Sequence, residues 1–424
     1  MKAVLFSLGS RGDIEPLFAL GEILRSKGWE VVYVFPEQFR ELVEESDATF
    51  YPFTKEFLEV LITGEQSKQL TSRSGSWFKR IKVLFGLAKK SIRINKEVVQ
   101  QQKEILDCEQ PDYVFYNQKC VYPIVWEFQY PGRGIFVHPF PCFLHKVKHH
   151  SIIGFTGGGN YGTFLNLFTY SLQSLILSIA VYFSTRKYLR NKLNPFSIRK
   201  RLLKQTKSIY TISPLLFKQP SYWLVNANVV GYYERDQLNS WIASQELLDF
   251  IERYQKIVFI TFGSISNTNP MKNTNAILSA LEKHKIPAIV NTSWGGLIQE
   301  ENHFDHIHFV NQIPYDWIMP KMYAVVHHGG SGTTHSALKY GCANLIVPHF
   351  IDQFFWNETI HKLKLGPKGD SIKKLNAHNF EIQLLDLLNN EVYKKNAETI
   401  GEQMQKENDI DELMQIILHD EHEK

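Results

Sequence analysis

The eight residues from His327 to Thr334, HHGGSGTT, have the types and the spacing of a diphosphate-binding turn. The apolar residues 324–327 predict a strand that runs into this turn, and a helix is predicted to follow from about His335. Free N–H groups at a helix start bind anions, and glycines allow the backbone to approach a phosphate closely. The hydroxyl groups add hydrogen-bond donors, and His328 can supply a proton or a positive charge. The turn is not a Walker loop, because it lacks a Lys-Ser or Lys-Thr pair, and it is not a GxGxxG turn.

Two carboxylates complete the candidate chemistry. Asp13 lies in GSRGDIEP, residues 9–16, directly after the apolar run 2–8. If this segment faces the diphosphate turn, the Asp13 carboxylate can take a proton from a bound hydroxyl; otherwise it is an ordinary helix N-cap. Asp352 and Gln353 follow another predicted strand, within PHFIDQFFW. This pair can hold neighbouring sugar hydroxyls, or Asp352 can simply cap a helix.

Alternating strands and helices must position these residues. The first half of the chain predicts strands at 2–8, 30–35, 112–116, 134–138 and 208–213. The second half predicts strands at 257–262, 287–291, 306–310, 324–327 and 344–348. Such alternation is typical of parallel sheets, which bind ligands beyond the carboxyl ends of their strands. We therefore expect two α/β domains, joined near residues 214–240.

Composition and charge exclude several classes of protein. Of 424 residues, 44% are apolar and 21% are charged, which is typical of a folded protein. The net charge of +4 is too small to predict nucleic acid as the main partner. Four cysteines without a CxxC pair argue against a zinc cluster or a disulfide framework. No secretory signal is recognised, so we expect a cytoplasmic protein.

Two features leave peripheral contact with a membrane open. Residues 164–183 have spanning length but include six polar side chains, so we predict a buried or interfacial helix. Basic residues surround apolar residues at helical spacing in 78–106, and a second basic block covers 186–207. A basic amphipathic helix can lie on an anionic membrane, or it can face a protein core with its basic side in water.

Several strings together resemble the signatures of family 1 glycosyltransferases. The donor-site signature is matched by HHGGSGTT at 327–334, DQFFW at 352–356 and LGP at 365–367, and the acceptor-domain signature by GSRGDIEP at 9–16. PYDWI at 314–318 resembles a string of the sterol 3-beta-glucosyltransferase branch, whose bacterial relatives include macrolide and glycopeptide glycosyltransferases. The resemblance covers nearly the whole chain, in the expected order.

This resemblance implies an α/β fold of the GT-B type, with two Rossmann-like domains facing across a cleft. Residues 1–214 are expected to form the acceptor-binding domain, and 215–240 the linker. Residues 241–401 are expected to form the nucleotide-sugar domain, and 402–424 a helix that packs back on the first domain.

The resemblance also implies roles for individual residues. Asp13 stands where this branch places its general base, and His328 where the family contacts the diphosphate. The donor-binding residues that it implies are Gly12, Ser264, Gln312, Ile313, His328, Gly330, Ser331, Gly332, Thr333, Asp352 and Gln353. Gln312 replaces the Trp that plant members stack on uracil, and Ser336 replaces their ribose-binding Glu, so both contacts are expected to differ.

The expected activity is an inverting transfer of a hexosyl group, with UDP-glucose as the expected donor, to a hydroxyl of an apolar acceptor such as a sterol or carotenoid. No metal ion and no cofactor besides this donor are expected, since the only DxD string, 409–411, falls in the acidic C-terminal segment. Phe140, Phe143 and the 164–183 helix suit an apolar acceptor, or they simply fill a core. The alternatives are a dTDP-sugar enzyme of the antibiotic type, a sugar-nucleotide epimerase of the same fold, a nicotinamide oxidoreductase and a non-catalytic partner subunit.

Overall fold

The structure of the protein is a computed structural model. It describes residues 1–53, 96–153, 159–189, 193–235, 241–263, 269–292, 296–299 and 304–419. Ser264 and most of the predicted basic helix over 78–106 lie outside the described residues.

The first half of the chain builds a sheet of seven parallel strands in the order β3-β2-β1-β4-β5-β6-β7. The strands are β1 Lys2–Phe6, β2 Glu30–Pro36, β3 Thr49–Phe53, β4 Tyr113–Tyr116, β5 Gly134–His138, β6 Lys207–Tyr210 and β7 Ala227–Val229. The central strands are apolar runs buried on both faces, as a parallel sheet covered by helices requires. The segment predicted as a linker, 215–240, contains β7, the short outer strand of this sheet.

Helices cover both faces of the first sheet. They are α1 Arg11–Ser26, α2 Arg40–Glu44, α3 through 96–109, α4 Tyr122–Glu127, α5 Thr163–Thr185 and α6 Pro195–Lys204. Among the described helices, α5 alone is long and apolar enough to cross a membrane by length and composition. Because it packs one face on the domain and exposes the other, it is neither wholly buried nor wholly free.

The second half builds a sheet of five parallel strands in the order β10-β9-β8-β11-β12. The strands are β8 Val258–Thr261, β9 Ala288–Asn291, β10 Ile307–Val310, β11 Ala324–His327 and β12 Ala343–Ile346. The helices between residues 241 and 404 are α7 Gln245–Arg253, α8 Pro270–His284, α9 Tyr315–Ile318, α10 Ser331–Lys339, α11 Gln353–Lys362, α12 Ala377–Asn389 and α13 Glu391–Met404.

Both sheets share the strand order 3-2-1-4-5 at their centre, which confirms the predicted α/β fold with two Rossmann-like sheets. In this order the direction of the connections reverses between the first and fourth strands, and ligands bind at that switch point. The first switch point lies between β1 and β4, and the second lies between β8 and β11. The fold therefore fixes where the loops that follow these four strands must meet.

The chain returns to the first domain at its C-terminal end. The segment predicted as one helix over 402–424 is instead interrupted: α13 ends at Met404, and α14, Ile410–Leu418, starts after Asp409. The Asp409 carboxylate accepts from two N–H groups of the first turn, which makes it the N-cap of α14. The buried side chains of α14 join the core between α1 and the first sheet, and the Lys207 ammonium donates to the Ile417 carbonyl at 2.7 Å.

Candidate active site

The first switch point holds an ion pair between Asp13 and Lys119. Asp13 lies in the first turn of α1, after β1, and Lys119 lies in the loop after β4. The Lys119 Nζ is 2.8 Å from the Asp13 Oδ2, and the same oxygen accepts from the Ser10 N–H at 2.9 Å. Gly9, with φ of +134°, permits this approach, because a Cβ there would lie 2.1 Å from the Asp13 Oδ2. Asp13 is therefore both the N-terminal cap partner of α1 and a charged group at the carboxyl edge of the sheet.

Buried Asn117 joins the two loops of this switch point. Its amide donates to the Ser7 hydroxyl at 2.9 Å and to the Leu8 carbonyl at 3.0 Å. Its carbonyl oxygen accepts from the Lys119 N–H. Sequence reasoning missed both Asn117 and Lys119; the available signal was that they directly follow β4, which pairs with β1, the strand that precedes Asp13.

The second switch point holds the predicted phosphate turn. Helix α10 starts at Ser331, four residues before the predicted start, and its N-cap is Gly330. A glycine N-cap offers no side chain to the N–H groups of the first turn, so these groups suit an anion. Gly332 is exposed there, Ser331 is half-buried and Thr333 is buried.

The two histidines of the turn have different functions. His327 is structural: its Nδ1 accepts from the Gly329 N–H at 3.1 Å, so the proton lies on Nε2, 2.7 Å from the Asn344 Oδ1. His328 lies between two glycines, because a Cβ on Gly330 would lie 2.4 Å from its Nε2 and a Cβ on Gly263 would lie 2.7 Å from its Cε1. Its ring thus packs between the loops that follow β8 and β11.

Burial makes His328 a neutral group in the free protein. Desolvation, together with the neighbouring His327 and His349, lowers the pKa of His328 well below its usual value. Of the two options open from the sequence, a hydrogen-bond donor fits this environment, and a permanent positive charge does not.

Asp352 and Gln353 start α11 beside the phosphate turn. Gln353 is buried, and its side-chain oxygen accepts from the His349 N–H at 2.7 Å and the Phe350 N–H at 3.1 Å. These bonds hold the loop after β12. Ile351 has φ of +52°, a costly left-handed conformation for a β-branched residue and one that is found at binding sites.

Electrostatics connect Asp352 with the first switch point across the cleft. Burial is the largest cause that raises the pKa of Asp352, the Asp13 charge acts in the same direction and the Lys119 charge opposes it, and the net result is a pKa of about 7. The two carboxylates and the ammonium are therefore within electrostatic reach of one another, although Asp352 belongs to the second domain. The apolar cluster that contains Phe217 of the first domain and Trp356 of the second packs the two domains together beside them.

The other predicted donor residues differ in their surroundings. Gly12 is exposed in the first turn of α1, and Gln312 is exposed after β10. Ile313 is buried, and its side chain belongs to the core on one face of the second sheet. The structure thus gathers the Asp13 and Asp352 regions and the phosphate turn, whereas Ser264 lies outside the described residues.

A carboxylate from the interdomain segment, Glu234, lies against α10. It accepts hydrogen bonds from the Ser336 hydroxyl, from the Lys339 ammonium at 3.0 Å and from the Tyr340 hydroxyl at 3.2 Å. The Tyr232 hydroxyl is 3.3 Å from the Ser336 Oγ. Ser336, the position at which the ribose contact is expected to differ, is therefore bonded to the segment between the domains. Sequence reasoning missed Glu234, because the distance of 102 residues along the chain hides this contact.

Within the described ranges, no three or more His, Cys, Asp or Glu side chains are grouped so that they could hold a metal ion.

Two family models match the chain. Residues 3–118 match the glycosyltransferase family 28 N-terminal domain. Residues 290–419 match the C-terminal domain of proteins like erythromycin biosynthesis protein CIII. The first match contains Asp13, and the second contains the phosphate turn and Asp352.

Relatives and solved structures agree with these matches. A sterol 3-beta-glucosyltransferase of Arabidopsis thaliana is 26% identical over 97% of this chain. The chain spans 64% of the length of this enzyme and 35% of the length of the sterol 3-beta-glucosyltransferase of Saccharomyces cerevisiae. The calicheamicin glycosyltransferase CalG4 superposes with a TM-score of 0.69 at 14% identity, over 98% of each chain. The spinosyn rhamnosyltransferase SpnG, complexed with thymidine diphosphate, superposes with a TM-score of 0.65 at 13% identity, over 99% of this chain and 100% of that one. At these identities the likeness to solved structures establishes the GT-B fold.

Proposed function

This chain belongs to the GT-B glycosyltransferases that combine a family 28 N-terminal domain with an EryCIII-like C-terminal domain, and from that premise we propose that it transfers a hexosyl group from a nucleotide sugar to a hydroxyl of an apolar acceptor. The first candidate donor is UDP-glucose, and the first candidate acceptors are sterols, carotenoids and other lipid-like natural products. One observation carries the proposal: Asp13 and Asp352 lie within electrostatic reach of each other from opposite domains, and a Cβ on Gly329 of the phosphate turn would lie 3.3 Å from the Gln353 Cβ, next to Asp352.

The Asp13 carboxylate is the proposed general base. It takes the proton of the acceptor hydroxyl while the acceptor oxygen forms a bond to the anomeric carbon of the donor. The bond from that carbon to the diphosphate oxygen breaks on the opposite face, so the configuration inverts. Lys119 and the Ser10 N–H hold the carboxylate in position, and the second carboxylate oxygen remains for the acceptor.

The phosphate turn receives the leaving nucleoside diphosphate with the electron pair of the broken bond. Charge develops on the diphosphate as the sugar gains oxocarbenium character. The N–H groups at the start of α10 and the His328 ring stabilise that charge. The ring is already fixed by its packing between Gly263 and Gly330. The proposed mechanism uses no metal ion.

Asp352 and Gln353 are the proposed contacts to the sugar hydroxyls. The Gln353 oxygen is already occupied by two backbone N–H groups, so its amide donates and the Asp352 carboxylate accepts. Since the pKa of Asp352 is raised to about 7, hydroxyl groups that donate to it stabilise its charged form.

Two nucleobases are candidates for the donor, and several apolar alcohols are candidates for the acceptor. Thymidine diphosphate sugars are the second candidate donors, because the structural neighbour SpnG was solved with thymidine diphosphate. An apolar acceptor is supported by the exposed side chains of Phe350, Ile351 and Phe354, which flank Asp352, and by the sterol enzymes among the relatives. We propose that this reaction takes place in the cytoplasm.

Thermal stabilisation tests the donor half of this proposal. The purified protein is heated with UDP, TDP, GDP, their glucose conjugates or NAD, in buffer with a chelator. A ligand that binds only the native state raises the melting temperature according to its occupancy. We expect shifts with UDP and UDP-glucose. A shift with TDP alone selects the second candidate, and a shift with NAD alone overturns the proposal.

Acceptor-dependent release of the nucleoside diphosphate tests the transfer half. With the donor identified, we expect release to rise when a sterol or carotenoid alcohol is added and the glycoside to appear as the product. Conversion of the donor without any acceptor would instead indicate an epimerase or a hydrolase.

A further inference from the structure

Helix α5 presents its side chains in the opposite sense to a helix of a water-soluble protein. Its buried face is mostly polar, and the residues on it are Asn166, Tyr170, Ser174, Ser178, Val181 and Thr185. Its outer face is apolar, and its exposed large side chains are Phe164, Leu165, Phe168, Leu172, Ile176, Ile179 and Phe183. We call this outer face, together with Phe196 of α6, the apolar stripe. In a soluble helix the apolar side faces the core and the polar side faces water.

The inner face of α5 is bound to the domain through its polar groups. Within α5, the Ser178 hydroxyl donates to the Ser174 carbonyl at 2.7 Å, so this buried group is satisfied inside the helix. The Arg199 Nε donates to the Ser174 hydroxyl at 2.8 Å, and the Asn166 amide donates to the Lys148 carbonyl at 2.9 Å. Because the bonds of Arg199 and Asn166 hold α5 against α6 and the adjoining loop, the helix belongs to the folded domain and turns its apolar stripe outward.

The chain around the apolar stripe is strongly basic. Residues 128–233 contain thirteen Lys and Arg and not one Asp or Glu, although the whole chain carries a net charge of only +4. Arg186 and Lys187 are exposed at the end of α5. On α6, Lys200 and Lys204 are exposed on the same helical face as Phe196, whose side chain is 70% exposed. Exposed basic residues, which we call the basic rim, thus follow α5 directly, and others stand beside an exposed Phe on α6, the helix that packs against α5.

We propose that the apolar stripe and its basic rim dock on an anionic lipid bilayer. In this arrangement α5 lies in the plane of the membrane, with its Phe and Leu side chains at the boundary of headgroups and acyl chains. The exposed lysines and arginines lie at the level of the lipid phosphates. A second copy of the chain is a poorer occupant, because two copies meeting through this face would bring like charges together.

Vesicle co-sedimentation tests the proposal with the full chain and does not depend on catalysis. Wild-type protein is mixed with vesicles of phosphatidylcholine, with and without 30% phosphatidylserine (about the share that gives a strongly negative surface). We expect binding to the anionic vesicles that weakens with added salt. The triple variant L172Q, I176Q and F183Q is expected to lose binding by more than about tenfold. The double variant K200Q and K204Q is expected to lose about tenfold on anionic vesicles only.

Matched substitutions on the second domain serve as controls. The pair I382Q and V392Q replaces exposed apolar side chains, and the pair K272Q and K395Q replaces exposed lysines. Both pairs are expected to bind vesicles like the wild type. All variants should keep the wild-type melting temperature and its shift with the nucleotide, which separates this proposal from the proposed function.

Three results would overturn the proposal. The first is equal sedimentation of the wild type with and without anionic vesicles. The second is equal binding by the stripe variants and the controls. The third is a dimer in light scattering that the triple variant converts to a monomer, which would assign the stripe to a second copy of the chain.

Discussion

Two carboxylates at the cleft differ in their surroundings, and this difference assigns their functions. Asp13 is paired with Lys119 and with a backbone N–H, so its charge is compensated in the free protein. Asp352 is half-buried, forms no ion pair among the described residues, and has a pKa raised to about 7. A compensated carboxylate suits a base that must be charged before the acceptor arrives. A carboxylate with a raised pKa, such as that of Asp352, suits a group whose charged form is stabilised when sugar hydroxyls donate to it.

The exchange of Asp13 for Asn tests the assignment of the base. Asn keeps the shape and can still accept from the Ser10 N–H, but it cannot take a proton. We expect D13N to lose about 10²–10⁴-fold in transfer rate. The shift of the melting temperature with the nucleoside diphosphate should remain.

Asp107 provides the matched control for that exchange. It is an exposed carboxylate paired with Lys103 on α3, near the amino edge of the sheet. D107N should transfer at the wild-type rate. If D13N lost nucleotide binding and stability together with transfer, Asp13 would be a structural cap and the base would be another group.

Replacement of Asp352 by Asn is expected to change stability in a pH-dependent way. The pKa of Asp352 is raised from 3.8 to about 7, so the folded protein binds this proton more tightly than the unfolded chain does. The carboxylate therefore costs stability progressively as the pH rises through this window. The melting temperature of D352N relative to wild type should increase from pH 4 to pH 7 and level off above it, in a series of scans without ligand. A constant difference would show that Asp352 is not the group that titrates.

At the residue scale, sequence reasoning found the groups that stand in a recognisable string and missed those that become neighbours only through the fold. Asp13 and Asp352 were singled out from their strings. Lys119 and Asn117 lie more than 100 residues from their partners, and nothing in their own segment indicates a site. Only the adjacency of β1 and β4 brings them together.

At the scale of elements, the turn between β11 and α10 depends more on Gly330 than on Gly332. A Cβ on Gly330 would lie 2.4 Å from the His328 Nε2, whereas the nearest atom to a Cβ on Gly332, the Tyr232 hydroxyl oxygen, would be 3.8 Å away. G330A is therefore expected to displace the His328 ring, to lower the melting temperature and to reduce the shift with the nucleoside diphosphate.

G332A is the matched substitution in the same turn. It meets no steric obstacle, and alanine is favoured over glycine within a helix by roughly 0.5–1 kcal/mol. Its melting temperature without ligand should equal or exceed that of the wild type. Equal losses of stability in G330A and G332A would contradict the packing of the His328 ring against Gly330.

The elements themselves were predictable where the pattern was long and periodic. The central strands of both sheets match apolar runs in the sequence. The edge strands β3 and β7 were not predicted, because an edge strand is short and needs fewer apolar residues. The start of α10 was predicted too late, because Gly and Thr are weak helix formers and the first turn is set by the loop that precedes it.

At the scale of the whole molecule, α14 couples the two domains. The chain leaves the second domain through α13 and returns to pack Leu413, Met414 and Ile417 into the core of the first. The Lys207 ammonium on β6 donates to carbonyls at the end of α14, which fixes the helix along the sheet. The first domain is therefore completed by residues that follow the second one in sequence.

This arrangement predicts that the end of the chain determines the stability of its beginning. Ile417 is fully buried in the core of the first domain, whereas Ile410 on the same helix is 37% exposed. I417A should lower the free energy of unfolding of the first domain by about 2–5 kcal/mol, since it removes a buried side chain from a packed core. I410A should change it by less than about 0.5 kcal/mol. Denaturant unfolding of both variants measures the difference, and similar values for the two would mean that α14 does not pack on the first domain in solution.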